Sequence, residues 1–443
     1  MPSAGTAIVL AAPDRETAGY VRAVLERSAL EVAALIDDRR GWSTRAREAI
    51  RARRNAVVLL VPSAKLGRDQ LELISETVDG GGTVLVWRAA DRDLGDDDWL
   101  IERLLEQRGA LSSDRLGALA AAIRLLPFAE AIRSSGVRVA GGRGALRGRL
   151  EAELRRAGAR LSSRSSRSAC PLRTADGGTI RVGSGKRSTT VPEGIADVAA
   201  ALVLLCRPDR LAQADPAPEM DEEVIDLIAR PPKRVLSETT SKRLAAAWGL
   251  CSGPESLCRS PTGAARFAGE LEGTAVMKLV RPGLDRKAEV GAVVPGVEGR
   301  AAARRAYHRL ITLAEELGAP RPLGVLIAAE IQGGARIWTR SADRGELGRV
   351  LLIGSGDAAG GPPVAALAPP VRMPGALRAL EDAGLADDER LRAKLAEALV
   401  RLAAMVDHLG ERIQRVEIDP LVAIEKAPRA LMLDAVVEIS GAG

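Results

Sequence analysis

The chain is short of aromatic rings. Phe, Trp and Tyr together make up 2% of its 443 residues. Its cores must therefore be built from Leu, Val, Ile and Ala. Two Tyr and two Phe cannot furnish the stacking platform on which single-strand binders hold bases. A formal net charge of +6 and a pI of about 9.4 are compatible with a nucleic-acid partner. The Arg residues, however, are spread along the chain and alternate with Asp and Glu, as in 101–108 and 388–394. No nucleic-acid partner is expected. Cysteine is equally sparse. Cys170, Cys206, Cys251 and Cys258 include no Cys-x-x-Cys spacing, and the two histidines, His308 and His408, lie in helical contexts away from them. That excludes a structural zinc site of the usual kind and suits a reducing cytoplasm. No run of ~20 apolar residues exists, so no membrane helix is expected. The N-terminal MPSAGTAIVLAAPDRE lacks a basic leader and reads as a first strand. The expected location is cytoplasmic.

Hydrophobic residues make up 46% and charged residues 28%, a globular balance. Residues 1–130 alternate short apolar runs with amphipathic stretches. The runs are AIVLAA (7–12), EVAALID (31–37), NAVVLLVP (55–62) and TVLVWRA (83–89). Brief continuous apolar runs between helices are what buried parallel strands look like, so this is a doubly wound α/β domain. A second α/β unit, 131–212, opens with GVRVAGGRGALRGRLEAELRRAGARL (136–161), passes a polar loop at 162–168, and closes with VPEGIADVAAALVLLC (191–206), read as a helix running into a strand. A linker spans 213–232 and contains ADPAPEMDEE. The third region, 233–443, is α+β. It opens with a helix capped by Ser237 and ended by Gly249, then strands 274–280, 324–331, 335–340 and 349–354 around a helix at 299–317. A helix over 388–409 and closing strands at 412–419 and 431–439 complete it.

Several groupings in the third region carry possible chemistry. Glu417 and Asp419 are two apart on a strand and share a face. Asp434, on the partner strand, can converge with them. Such a trio suits Mg²⁺ shared with phosphate oxygens, and it equally suits a solvated acidic rim. Lys278 sits in the apolar strand VMKLV, where it must either meet an anion or snorkel to water from an edge strand. Arg286 and Lys287 follow in GLDRKAEVGAVV, either a phosphate loop or an exposed turn. The turn GGRGAL (141–146) lacks full dinucleotide spacing and reads as a tight strand–helix turn or an anion site. His308 and His408 have no nucleophile beside them and read as structural or surface residues.

Together these segments resemble the NDP-forming acyl-CoA synthetases, relatives of succinyl-CoA synthetase. LSETTSKRLAAAWGL (236–250), TAVMKLVRPGLDRKAEVGAVV (274–294) and VEIDPLVAI (416–424) with LMLDAVVEI (431–439) carry the likeness to the family's ATP-grasp part. The first half is similar in pattern, through 5–62, 99–126 and 136–206. The resemblance implies two flavodoxin-like doubly wound domains followed by an ATP-grasp α+β domain. It implies Mg²⁺ and ATP as cofactors. Lys278, Arg286 and Lys287 would face the nucleotide, and Glu417, Asp419 and Asp434 would hold the metal.

The departures bear on activity. Where the family has a Ser-His-Thr-Gly loop with a phosphorylated histidine, this chain reads RAADRDLGDDDW (88–99), without histidine. The chain also begins where the family's second domain would, leaving out its CoA-binding domain. Arg286 replaces a His of the pattern, Arg336 a nucleotide-contacting Glu, Gly356-Asp357 a Gly-Gly pair, and Asp419 an Asn. Losing a covalent-catalysis group removes many powers of ten in rate. Losing one nucleotide contact costs only ~1–3 kcal/mol. The expectation is a divergent relative that does not form thioesters. It would bind a nucleotide or acyl metabolite as a sensor or scaffold, alone, as a homo-oligomer or with a partner protein. The alternative is an ATP-grasp ligase that activates a carboxylate as an acyl phosphate with Mg-ATP.

Overall fold

The computed structural model describes residues 7–37, 42–53, 56–61, 66–88, 98–139, 151–152, 154–155, 161–162, 169–174, 180–184, 187–206, 234–281, 283–284, 287–318, 320–356 and 361–440. The 141–146 turn, the 163–168 loop, most of the 88–99 loop, the linker, Arg286 and Asp357 lie outside them. The chain divides into two units, Met1–Leu211 and Ala212–Gly443.

In the first unit, β1 (Ile8–Ala11), β2 (Val32–Ile36), β3 (Val57–Leu60), β4 (Thr83–Trp87) and β5 (Leu111–Ser113) form one parallel sheet in the order β2-β1-β3-β4-β5. That is the flavodoxin-like order of a doubly wound sheet. The residues explain the placement. β1 and β3 are apolar at every position and buried throughout, as inner strands covered on both faces must be. β2 alternates, and it lies at the edge. The helix Arg15–Arg27 is capped by Asp14, whose carboxylate accepts from Thr17 N at 2.8 Å.

A second sheet follows, of β6 (Val137–Val139), β7 (Cys170–Thr174), β8 (Ile180–Ser184) and β9 (Arg187–Val191). Only β6 and β7 run parallel; β7, β8 and β9 form an antiparallel meander. The segment expected to pass from helix to strand is a single helix, Ile195–Cys206, preceded by β9. Its run ALVLLC is apolar on all sides, and periodicity cannot tell a buried strand from a buried helix in so short a run. Both sheets of this unit share one hydrophobic cluster, from Ile8 and Leu59 to Val182 and Leu202.

Among the described residues the second unit has two sheets. The larger contains β10 (Arg234–Val235), β11 (Cys251–Ser252), β16 (Ala335–Asp343), β17 (Arg349–Ser355), β18 (Ala365–Leu367), β19 (Ile413–Ala423), β20 (Leu431–Met432) and β21 (Ala435–Ile439). Its main path runs β10-β21-β19-β16-β17-β18. The smaller sheet, ordered β12-β15-β13-β14, comprises β12 (Glu255–Cys258), β13 (Ala275–Val280), β14 (Val293–Val297) and β15 (Gly324–Ala329). The long helix Glu389–Leu409 and the helix Met373–Asp382 pack on the larger sheet. Helices Pro261–Ala268 and Gly299–Glu316 pack on the smaller one. The fold is thus a flavodoxin-like parallel sheet followed by sheets of ATP-grasp type.

Two strand boundaries differ from the sequence reading in a way that matters. β19 does not stop at Asp419 but continues through Pro420 to Ala423. The segment 431–439 is not one strand but two, β20 and β21, broken at Leu433–Asp434. Leu433 N still pairs with Pro420 O at 3.0 Å, yet the ladder is interrupted and the carbonyl of Leu433 is turned to other partners. Among the described residues no helix is long and apolar enough to cross a membrane.

Candidate functional site

The site lies where the helix Glu238–Ala246, β13 and the break between β20 and β21 converge. Ser237 starts the helix; its hydroxyl accepts from Thr240 N at 3.3 Å. That fixes Glu238 in the first turn and Lys242 one turn later, on one side of the helix. Lys278 comes from the middle of β13, paired with Leu326 on one side and Val293 on the other. Lys287 opens the turn leading to β14, closed by Ala292 N donating to Lys287 O at 2.8 Å.

Three ammonium groups meet three carboxylates here. Lys278 Nζ donates to Glu238 Oε1 (3.0 Å), Asp434 Oδ2 (3.4 Å) and the backbone oxygen of Leu433 (2.7 Å). Lys287 Nζ donates to Glu238 Oε2 (2.6 Å) and to both Asp434 oxygens at 3.1 Å. Lys242 Nζ reaches Glu238 Oε1 (2.9 Å), Glu255 Oε2 (2.7 Å) and, again, Leu433 O (2.9 Å). The Glu238 side chain is 0% exposed, whereas that of Asp434 is 28% exposed.

The electrostatics follow from that packing. Burial alone would push the Glu238 carboxyl up, but Lys278, Lys242 and Lys287 overcome it and hold it at about 2. For Lys278 burial works against the charge, and Asp434 and Glu238 more than offset it, so its ammonium is held above the usual lysine value. Asp419 goes the other way: burial, then Glu417 and Asp434, push its carboxyl up, with only Arg340 opposing.

A cavity of about 260 Å³ opens beside the network, lined by Lys287, Glu289, Val293, Glu417, Asp419 and Asp434 among others. The three acidic residues singled out from strand periodicity thus share one cavity wall. Glu417 is held by Arg415 at 3.2 Å, and the backbone N of Asp419 pairs with Asp434 O at 3.3 Å. Among the described residues no group of three or more His, Cys, Asp or Glu side chains is placed to hold a metal ion. Lys278 and Lys287 also come together, both bonded to Asp434. Arg336 does not line the cavity; its guanidinium donates to Ile331 O. His408 packs edge-on against Trp248, with ring centroids 5.9 Å apart.

Glu238, Lys242 and Glu255 were not foreseen. The first two stood in plain view as an i, i+4 acid–base pair in the opening helix, but such pairs are usually solvent-facing. Their burial follows from packing against β21, where Val437 N donates to Ser241 Oγ at 3.0 Å.

With this geometry in view, comparison with known proteins identifies the class of the second unit. Residues 228–439 match the family model described as an ATP-grasp domain. The second unit therefore carries an ATP-grasp domain. No curated protein sequence matches the chain. Among solved structures, PH1788 of Pyrococcus horikoshii is similar at 18% identity and a TM-score of 0.45, over 51% of this chain and 100% of that one. The dinucleotide forming acetyl-coenzyme A synthetase 1 of Ca. Korarchaeum cryptofilum, in complex with coenzyme A and Ca-AMPCP, is 18% identical with a TM-score of 0.43, over 49% and 99%. ATP citrate lyase of Methanothrix soehngenii, in complex with citrate and coenzyme A, is 14% identical with a TM-score of 0.33, over 47% and 51%.

Proposed function

We propose that the second unit binds a Mg²⁺–nucleotide, ATP in the first instance, at the cavity beside Asp434, and that the chain does not form acyl thioesters through a phosphohistidine. The supporting observation is the convergence, inside a segment that matches an ATP-grasp model, of Lys287 and three carboxylates on one cavity, with Lys278 behind its wall and bonded to Asp434. Lys278 and Lys287 supply positive charge for phosphate oxygens, and by the family resemblance Arg286 joins them. Asp419 and Asp434, with Glu417 beside them, are the metal-facing groups. The fit is physical: Asp419 is strained by burial and by its acidic neighbours, which a divalent cation would relieve. Mg²⁺ bound by one or two carboxylates plus phosphate oxygens needs no larger protein cage. When bound, the ion neutralises phosphate charge. A volume of about 260 Å³ is below the ~300–1,000 Å³ of typical small-molecule sites, so the cavity suits the phosphate–metal end of the ligand.

The loop after β4 carries no histidine, so the covalent relay of the synthetases has no acceptor there. We read the first unit as a flavodoxin-like domain, 1–130, and a second domain, 131–212, whose mostly antiparallel sheet departs from the flavodoxin-like order expected of it, joined through a linker at 213–232 to the nucleotide domain. In this reading the protein is cytoplasmic and senses a nucleotide or acyl metabolite, or scaffolds a partner. Isothermal titration with Mg-ATP tests it. Binding is expected, with Lys278→Ala weakening it by ~2–3 kcal/mol, the scale of a lost charge-assisted contact. Absence of binding by the unaltered chain overturns the reading. The persistence of Lys278, Asp419 and Asp434 together favours one second reading, a ligase forming an acyl phosphate. ATP-dependent hydroxamate formation from a panel of carboxylic acids and hydroxylamine would establish that reading instead.

A further inference from the structure

Lys278 and Lys287 have no donor to spare. An ammonium group has three N–H donors. Lys278 directs them at Glu238, Leu433 O and Asp434, and Lys287 at Glu238 and both oxygens of Asp434. Two carboxylates thus grip the same pair of lysines. Glu238 does so from the interior, with no exposed side-chain surface, and it does not line the cavity. Asp434 does so from the cavity wall, with 28% of its side chain exposed. An anion arriving through the cavity meets Asp434 first. It can reach the Lys287 ammonium on the cavity wall, and Lys278 behind it, only by taking the place of that carboxylate, because a second anion added to the network would leave excess buried negative charge. Once displaced, Asp434 carries its charge beside Glu417 and Asp419, where it needs a cation.

Building on the nucleotide reading above, we infer that Asp434 is an exchangeable counter-ion. Bonded to Lys278 and Lys287 it occupies the phosphate position; when a polyphosphate binds, it turns to the metal alongside Glu417 and Asp419. Anion and Mg²⁺ therefore bind cooperatively, each freeing the groups the other needs. Glu238 stays on the lysines in both states and is a positioning residue.

The full chain, titrated calorimetrically with inorganic tripolyphosphate and separately with ATP, in EDTA and in Mg²⁺, tests the exchange. In the unaltered protein Mg²⁺ should tighten tripolyphosphate binding. In Asp434→Asn, metal-free tripolyphosphate should bind about tenfold tighter than in the unaltered protein, because the competing charge is gone, and Mg²⁺ should no longer help. Adding Lys287→Met to Asp434→Asn should abolish the gain. The inference is overturned if Asp434→Asn gives no metal-free gain, if the Mg²⁺ enhancement survives in it, or if the gain survives Lys287→Met. Should Asp434→Asn lose its cooperative thermal transition, Asp434→Ser carries the same test. If ATP fails to bind the unaltered chain while tripolyphosphate behaves as described, the exchange stands and the nucleotide reading falls. If Mg-ATP binds but Asp434→Asn shows no gain, the reverse holds.

Discussion

A carboxylate with no exposed surface stays ionised at Glu238 because three ammonium groups surround it. Breaking a buried ionic cluster by removing one member costs ~3–5 kcal/mol, since the remaining charges are left unpaired. Glu238→Gln should lower unfolding stability by about that amount, read by urea denaturation. The pH dependence has a definite sign. Glu238 is held at about 2 when folded, below its ordinary 4.5, so its contribution is present above about 4.5 and is lost as pH falls toward 2. The stability difference between the unaltered chain and Glu238→Gln should therefore shrink across that window. Asp419 has the opposite sign. Its carboxyl is pushed up, so its favourable contribution exists only at low pH and is lost as pH rises through the raised value. Asp419→Asn should raise the melting temperature at neutral pH without Mg²⁺, and excess Mg²⁺ should narrow the gap. At this scale the sequence was half legible. Lys278 stood out because a lysine in an apolar strand needs an anion, and Asp434 because strand periodicity aimed it at Glu417 and Asp419. Glu238 was hidden because an acid in the first turn of a helix already has an ordinary reason to be there.

Elements were easiest to foresee where both local pattern and burial agreed. β1 and β3, continuous in apolar residues, and the helix Glu389–Leu409, periodic over its whole length, were plain. The short strands β11, β12 and β18 were not, because two to four residues carry no period. The break at Leu433–Asp434 was invisible for a different reason: LMLDAVVEI is mostly apolar and reads as one continuous strand, and only contacts distant in sequence interrupt it. β17 illustrates another such dependence. Gly354 faces Trp338 across the β16–β17 pair, and a Cβ at Gly354 would run into the indole ring. Gly354→Ala should cost ~1–3 kcal/mol through overpacking, measured by thermal or urea unfolding, without a change in the acidic cavity.

At the scale of the molecule, the second unit has its own cores on both of its sheets. A fragment spanning 212–443 should fold cooperatively and keep the Mg-ATP affinity of the full chain, by circular dichroism and calorimetry; an unfolded fragment would contradict this. The carbonyl of Leu433 has a last consequence. It is shared by Lys242 and Lys278, which precede it by 191 and 155 residues. Contacts so remote in the chain close long loops and raise contact order, which slows folding. A growing polypeptide from which Leu433 and Asp434 have not yet emerged cannot assemble this charge cluster. Occupancy of the pocket thus becomes a report that segments 155 and 191 residues apart have met.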